Sequence, residues 1–500
     1  MRIQQTLSSQ TSFEKHEPKS NWGYIDSQPK GKMEIPDEST MAIVSLKSDT
    51  HTPLRSDAVF RPRWAELLLV IVLSFCMALV SALVERRIQV SSSLFQLSDL
   101  VGPTTESLLQ GKGLLVCTQA MGTPGNPICF RSARMPLPSL VIASGIELFG
   151  NRFFAVDLFK IVLFLIPLWI AMYCVWRAFS GRLGPWIFLL LLVPFALPGF
   201  LGDVANLQVE EGYTYSFLAL TTAIILFLPD AEKRRTVWLT CFALSVDGLY
   251  LAKSSMILAA AGLLLAFCLS LRRAGDIVLV AVLVAAAPLT WGLVQYHAGG
   301  HFSLGTSLDG INLHKGNNPA FLDRYPPQPG TSLDQFDSDL NRGLHFNDEW
   351  SFDDFHKQAA VAYIRTHPME TLRADARKAE VFSLSLTKYG SAASHGLAAV
   401  LDSIGMVFFR FLLWCALAIS LYSVASGKGI GRQNGCFFLL LVVACGLPYI
   451  LGFAYTRHAV VLFYPAALLC CCFVKPRSNG FAVSQPPAPM HRRSLHGLTG

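Results

Sequence analysis

Charged residues are sparse in this sequence, and several interrupt long apolar runs. Asp99 follows the first such run. Asp203, Glu210 and Glu211 sit in "LGDVANLQVEEGYTY", Asp247 and Lys253 in "DGLYLAKSS", and Arg457 and His458 in "YTRHAVV". A carboxylate in a partly dry cleft can serve as general base toward a hydroxyl or an amine. Arginine and lysine can hold a phosphate, arginine by a two-pronged contact. One carboxylate beside a cationic phosphate clamp suits transfer of a group from a phosphate-bearing lipid. Each residue taken alone also fits a solvated position at a helix end. As a set at one membrane depth they point to a site, because charges at or just inside a bilayer boundary are costly and are often functional.

The elements that must position these residues are apolar. The chain has 500 residues, 52% hydrophobic and 15% charged, with a mean hydropathy of +0.42. A soluble protein has no core large enough to hide that much apolar side chain, so the bilayer is its sink. Runs near or above the roughly 17–25 residues that cross a bilayer as helix occur at 64–84, 154–176, 186–202, 213–229, 236–252, 254–271, 276–296, 404–425, 434–453 and 457–474. The pattern predicts an all-α polytopic membrane protein with a bundle of about ten transmembrane helices. Residues 1–60 carry no apolar leader and read as a disordered cytoplasmic tail. Residues 61–296 form an N-terminal bundle that includes a first outer loop, 85–153; 297–403 a large outer loop domain between spans seven and eight; 404–475 the last helices; and 476–500 a second cytoplasmic tail.

Orientation follows from the basic residues. With Arg55, Arg61 and Arg63 cytoplasmic and ten spans, "WRAFSGR" (176–182), "EKRR" (232–235), "LRR" (271–273), "GKGIGR" (427–432) and "KPR" (475–477) all face the cytoplasm too. Only "ERR" at 85–87 dissents. The stretch "PLPSLVIASGIELFG" (136–150) is too short to span, and counting it would reverse every later loop. It reads as a helix lying along the outer interface. The net charge of +7 is scattered in these short groups, which fits membrane orientation and argues against nucleic-acid binding.

Most of the twelve cysteines lie in apolar runs and act as small hydrophobes. Cys117 and Cys129 share a polar loop, "CTQAMGTPGNPIC", where either a disulfide or two separate thiols would fit. In "SFDDFHKQAAVAYIRTHP", Ser351 and Asp354 have capping-box spacing, Pro368 ends the helix, and Phe355, Ala359, Ala362 and Tyr363 repeat at helical spacing. "DSD" (337–339) mimics a metal motif of nucleotide-sugar enzymes but has no strand–helix pattern around it. His297 and His301 are four apart, yet "AGG" between them argues against a shared helical face. No glycine-rich phosphate loop with its lysine occurs.

Several segments, in order over about 64–475, resemble the membrane-embedded GT-C glycosyltransferases, especially bacterial relatives of the aminoarabinose transferase and the protein mannosyltransferases. They are "SDLVGPTTESLLQGKGL" (98–114), "RMPLPSLVIASGIELFG" (134–150), "VEEGYTYSFLAL", "GLYLAKSSMIL", "GINLHKGNNPAF" (310–321), "AAVAYIRTHPMETLRADARKAEVF" and "YTRHAVVLFYP". The resemblance implies a GT-C-like bundle. It implies transfer of a sugar from a polyprenyl-phosphate donor to a lipid, glycan or protein acceptor on the extracytoplasmic face of the inner membrane. It implies that the acidic residue of the first outer loop is the base. By motif position that is Asp99. Glu106 is a rival, because "DLVGPTTE" lacks the partner residues relatives place after the aspartate. Lys253 and Arg457 become candidate contacts for the lipid phosphate, and Arg134 a residue shaping the loop near it. Glu210 or Glu211 would position substrate or a divalent cation, which some members use and others do not. An oligosaccharide polymerase or ligase, and a transporter, are the competing readings. Charges gathered at one face, with no symmetry between halves, favour the transferase.

Overall fold

A computed structural model describes residues 64–88, 101–123, 126–150, 153–179, 183–193, 210–227, 235–271, 273–327, 339–386 and 397–474. The two expected tails lie outside the described residues. The described residues are helical, with one small hairpin. In order come α1 (Trp64–Ile88), α2 (Val101–Leu109), β1 (Val116–Thr123), β2 (Asn126–Phe130), α3 (Leu137–Phe149), α4 (Phe153–Ala178), α5 (Pro185–Leu192), α6 (Glu210–Phe227) and α7 (Arg235–Ala252). A 3₁₀ turn (Ser254–Met256) leads into α8 (Ile257–Ser270) and α9 (Ala274–Gly299). The segment after α9 holds α10 (Asp309–Gly316), α11 (Phe321–Arg324), α12 (Glu349–Thr366) and α13 (Pro368–Ser383). Then follow α14 (Leu397–Ser426), α15 (Arg432–Leu451), α16 (Thr456–Val460) and α17 (Phe463–Val474).

Each of the ten apolar runs carries helix. Among the described residues five stretches are long and apolar enough to cross a bilayer: Phe154–Ala178, Ala274–Gly299, Ser403–Ser426, Arg432–Leu451 and Thr456–Val474. Helices α5, α6, α7 and α8 are shorter, at 8 to 18 residues. The 18 residues of α7 reach about 27 Å at 1.5 Å per residue, against about 30 Å of hydrocarbon. Helix α1 continues through "ERR" to Ile88, past the expected end of the first span. One continuous apolar core joins α4, α6, α7, α8, α15 and α17. On α9 the apolar side chains Val278, Val282, Leu289 and Leu293 are exposed, as suits a surface facing lipid tails.

The β1–β2 hairpin is antiparallel, with Val116 opposite Phe130 and Cys117 opposite Cys129. Those two cysteines form a disulfide, which decides the alternative the sequence left open. Helix α3 is 13 residues long, starts after Pro136 and buries Val141, Ile142 and Ala143, packing on α2, α4 and α7.

Between α9 and α14 the core is small. Ile128, Phe130 and Ala133 of the hairpin region pack on Ile311, Phe346 and Phe352. The N-cap of α12 is Asp348, whose side chain accepts from the backbone of Trp350 and Ser351, so the helix starts ahead of the expected Ser351–Asp354 box. Its buried face is Glu349, Phe352, Asp353, His356 and Ala360. In the expected apolar repeat Phe355 is instead 41% exposed and Ala362 exposed, while Ala359 and Tyr363 are half-buried. The polar residues are buried because partners from elsewhere in the chain meet them. At the other end α10 meets α15: a Cβ on Gly316 would lie 1.6 Å from the Gly452 carbonyl oxygen, so only glycine fits there.

Buried His356 shows how this segment depends on proton balance. Its Nε2 is 3.0 Å from Asn341 Oδ1, and its Nδ1 is 2.9 Å from His314 Nδ1. The Asn341 oxygen accepts the Nε2 proton, so His356 Nδ1 accepts from the Nδ1–H of His314. Burial, helped by His314, pushes His356 down from 6.5 to about 3. Its folded value lies below its unfolded value, so its contribution is complete above about 6.5 and is lost as pH falls toward 3. Each unit crossed costs about 1.4 kcal/mol. Burial moves the Glu349 and Asp353 carboxyls upward, which acts in the opposite sense. The difference between wild type and His356→Gln isolates the histidine. Hydrogen exchange over α10 and α12 is expected to show wild type losing its advantage over the variant between pH 6.5 and 4. A constant difference across that range overturns the assignment.

Candidate active site

Three sequence-singled residues meet. Glu210 is the first residue of α6, buried, where a carboxylate also faces the positive end of the helix dipole. Arg134 comes from the loop between β2 and α3. Its Nη1 lies 3.5 Å from Glu210 Oε1. Lys253 sits between α7 and the 3₁₀ turn, in extended conformation. Its Nζ lies 4.0 Å from Glu210 Oε2. The Lys253 and Glu210 side chains are both 11% exposed, and that of Arg134 is 41% exposed. The trio carries one net positive charge, and its exposed member is a guanidinium. Such a group can meet a dianion from solvent while the other two hold position.

The cluster continues through rings. Lys253 Nζ lies 5.5 Å from the centre of the Tyr449 ring at the end of α15. Tyr449 stacks on His458 of α16 at 4.0 Å, and its hydroxyl is 2.8 Å from Ser255 Oγ. His458 Nδ1 accepts the Tyr455 backbone N–H at 3.1 Å, so the neutral ring carries its proton on Nε2. Arg457, next in the chain, lies over the Tyr455 ring at 5.1 Å. It belongs to the segment that adjoins the cluster through the Tyr455 and His458 rings, whose centres are 5.5 Å apart. Lys315 of α10 is buried with its Nζ 4.5 Å from the centre of the Phe453 ring. Tyr449 and Lys315 carry no local sequence signal of their own, since one ends an apolar helix and the other lies in a short polar one.

The remaining expected residues are placed as follows. Asp99 and Asp203 lie outside the described residues, as does the side chain of Glu211, whose backbone is in α6. Glu106 stands on the exposed side of α2, where its Oε1 accepts the Gln110 amide at 3.1 Å. Among the described residues no hydrogen bond or ion pair joins it to the trio. Asp247 is on α7, with Oδ1 buried and without a hydrogen-bond partner among the described residues. Asp339, the last residue of "DSD", is paired with Arg324 and Arg342, each at 2.6 Å, which is a structural use of the carboxylate. His297 lies in the last turn of α9, whereas His301 lies beyond it and stacks on Trp350 at 4.1 Å. No cluster of three His, Cys, Asp or Glu side chains suited to a metal occurs among the described residues. The two Glu210 oxygens face two cations, so this carboxylate suits the placing of cations better than the ligation of a divalent ion.

Fold and cluster together define a polytopic helical membrane protein with a buried, cation-rich site where the helix ends meet the segment after α9. No protein-family model matches the chain, and no curated protein matches it. Among solved structures it is similar to ArnT from Cupriavidus metallidurans bound to undecaprenyl phosphate. Identity is 12% and the TM-score 0.33, over 83% of this chain and 78% of that one. Likeness at that level carries neither substrate nor mechanism across.

Proposed function

We propose that this protein is an integral-membrane glycosyltransferase of the GT-C type. It moves a sugar from a polyprenyl-phosphate donor to a lipid, glycan or protein acceptor on the extracytoplasmic face of a cell's inner membrane. The observation that carries the reading is the buried Glu210 held between Arg134 and Lys253 at the helix ends. The basic loops support N- and C-termini in the cytoplasm. The Cys117–Cys129 disulfide fits a hairpin in an oxidising compartment.

In the proposed reaction a carboxylate takes the proton of the acceptor hydroxyl or amine. The acceptor atom bonds to the anomeric carbon, and the bond from that carbon to the phosphate oxygen breaks. Polyprenyl phosphate leaves with the electron pair. Lys253 and Arg134 meet the charge that develops on it, which is where fixed cations stabilise a transition state most. Arg457 is a further phosphate contact. Asp99 is the base, with Glu106 its rival, and Glu211 orients substrate.

The test is a transfer assay in reconstituted membranes with radiolabelled polyprenyl-phosphate sugars. Asp99→Asn is expected to abolish transfer, by about a thousandfold or more as for loss of an essential base with its pre-organised proton path, while insertion and folding stay unchanged. Full activity in Asp99→Asn together with loss in Glu106→Gln moves the base to Glu106. Movement of label across the membrane with no new bond formed identifies a transporter instead.

A further inference from the structure

Two carboxylates outside the cluster hold the backbone on both sides of it. Glu349, the first residue of α12, is buried. Its Oε2 accepts the backbone N–H of Arg131 at 2.9 Å, the backbone N–H of Ser132 at 3.0 Å and the Ser307 hydroxyl at 2.7 Å. Ser307 N–H also donates to the Ser132 carbonyl at 2.9 Å. This fixes the chain just ahead of Arg134. Asp309, the first residue of α10, accepts the Thr306 N–H and hydroxyl, each at 2.9 Å. It also accepts the hydroxyl of Ser254, the residue after Lys253, at 3.1 Å.

The segment that ends at Asp309 is tied down along its length. Tyr250 donates its hydroxyl to the Leu304 carbonyl at 2.5 Å. Trp291 Nε1 and Gln295 Nε2 both donate to the Gly305 carbonyl at 3.1 Å. Residues 304–309 thus form one strap whose two ends reach the hairpin that carries Lys253, at Tyr250 and Ser254, and whose Ser307 reaches the loop that carries Arg134. The backbone beside each cation is therefore tied to the strap. Both cations have long flexible side chains, so their reach depends on where their backbone is held, and displacements near 1 Å matter for such contacts. Hydrogen bonds to a charged carboxylate are also about twice as strong as neutral ones.

We infer that Glu349 and Asp309 are the positioning residues of this site, setting the separation of Arg134 and Lys253 through the 304–309 strap. Their role is exerted through the backbone they hold. The inference rests on the proposed transferase only for what the cations then bind.

The test uses the full chain in lipid nanodiscs. Lysines are reductively methylated with ¹³C, and the Lys253 signal is assigned with Lys253→Arg. Asp309→Asn and Ser254→Ala are expected to move the Lys253 methyl resonance and leave that of Lys428 in place. Thr306→Val is expected to move it too, and Thr306→Ser, which keeps the hydroxyl, to restore it. Glu349→Gln and Ser307→Ala are expected to move the Arg134 Nε–H signal. In the transfer assay the same variants raise KM for the lipid-phosphate donor roughly tenfold, the scale of one lost hydrogen bond to a charged group, with kcat changed less than about twofold. Unmoved Lys253 and Arg134 signals in Ser254→Ala and Ser307→Ala, which each remove one hydrogen bond and leave the fold, overturn the inference. If the signals move while wild type transfers no sugar from any lipid phosphate, the positioning role stands and the transferase reading falls.

Discussion

Lys253→Met is expected to slow sugar transfer by about a hundredfold or more. Lys253 is 11% exposed and pairs with an equally buried Glu210. Truncating one member of a buried charge pair costs about 2–5 kcal/mol, because the other is left behind in a poorly solvated place. The phosphate would lose a cation where charge develops, so the loss falls on kcat as well as on KM. A double-mutant cycle separates the two parts. With Glu210→Gln in place the stranded charge is absent, and Lys253→Met should then cost less than it does alone. The cycle is read from kcat/KM, with thermal unfolding recorded in parallel. Equal costs in both backgrounds would show that the two side chains do not act together, and would remove the cluster as a site.

The second large effect is on stability. Lys378→Met is expected to cost about 3–5 kcal/mol of the stability of the segment between α9 and α14, the cost of breaking a buried charged network. Lys378 is completely buried. Its Nζ donates to the carbonyls of Gly316 at 3.2 Å and Gly452 at 2.9 Å, and lies 2.8 Å from Asp375 Oδ1. Burial pulls the amine below its ordinary value, and Asp375 opposes that pull. One ammonium therefore caps the ends of α10 and α15 together, as cations do at helix C-termini. The variant should expose amides of α10 and α13 to hydrogen exchange well before those of α4 or α6. Uniform protection equal to wild type would mean that the carbonyls find other donors.

The two effects differ in kind because the residues differ in what surrounds them. Lys253 shares its carboxylate with half-exposed Arg134 and so keeps a route to solvent. Lys378 spends its donors on backbone oxygens and its charge on Asp375. A transfer assay should single out the first variant, and a stability assay the second.

The sequence by itself determined the local features. Apolar run length placed a helix at each of the ten runs, because a segment that buries its backbone in lipid must satisfy its own hydrogen bonds. Proline and residue spacing marked α3 and the boundary between α12 and α13. Rarity of charge drew attention to Arg134, Glu210 and Lys253, which stand out as single residues against apolar surroundings.

Only the tertiary structure decided that these three meet. They come from a loop, a helix start and a hairpin turn far apart in the chain, and no periodicity encodes that distance. The same reason hid Glu349, Asp309, His356 and Lys378. Each reads locally as an ordinary polar residue of a solvated helix, and each is buried or bonded by groups that arrive from elsewhere in the chain. Local pattern fixes which face of a helix is apolar. Whether a polar face is covered depends on whether a distant segment brings the matching donor or acceptor, and in α12 that pairing buried Glu349, Asp353 and His356 and left Phe355 outward.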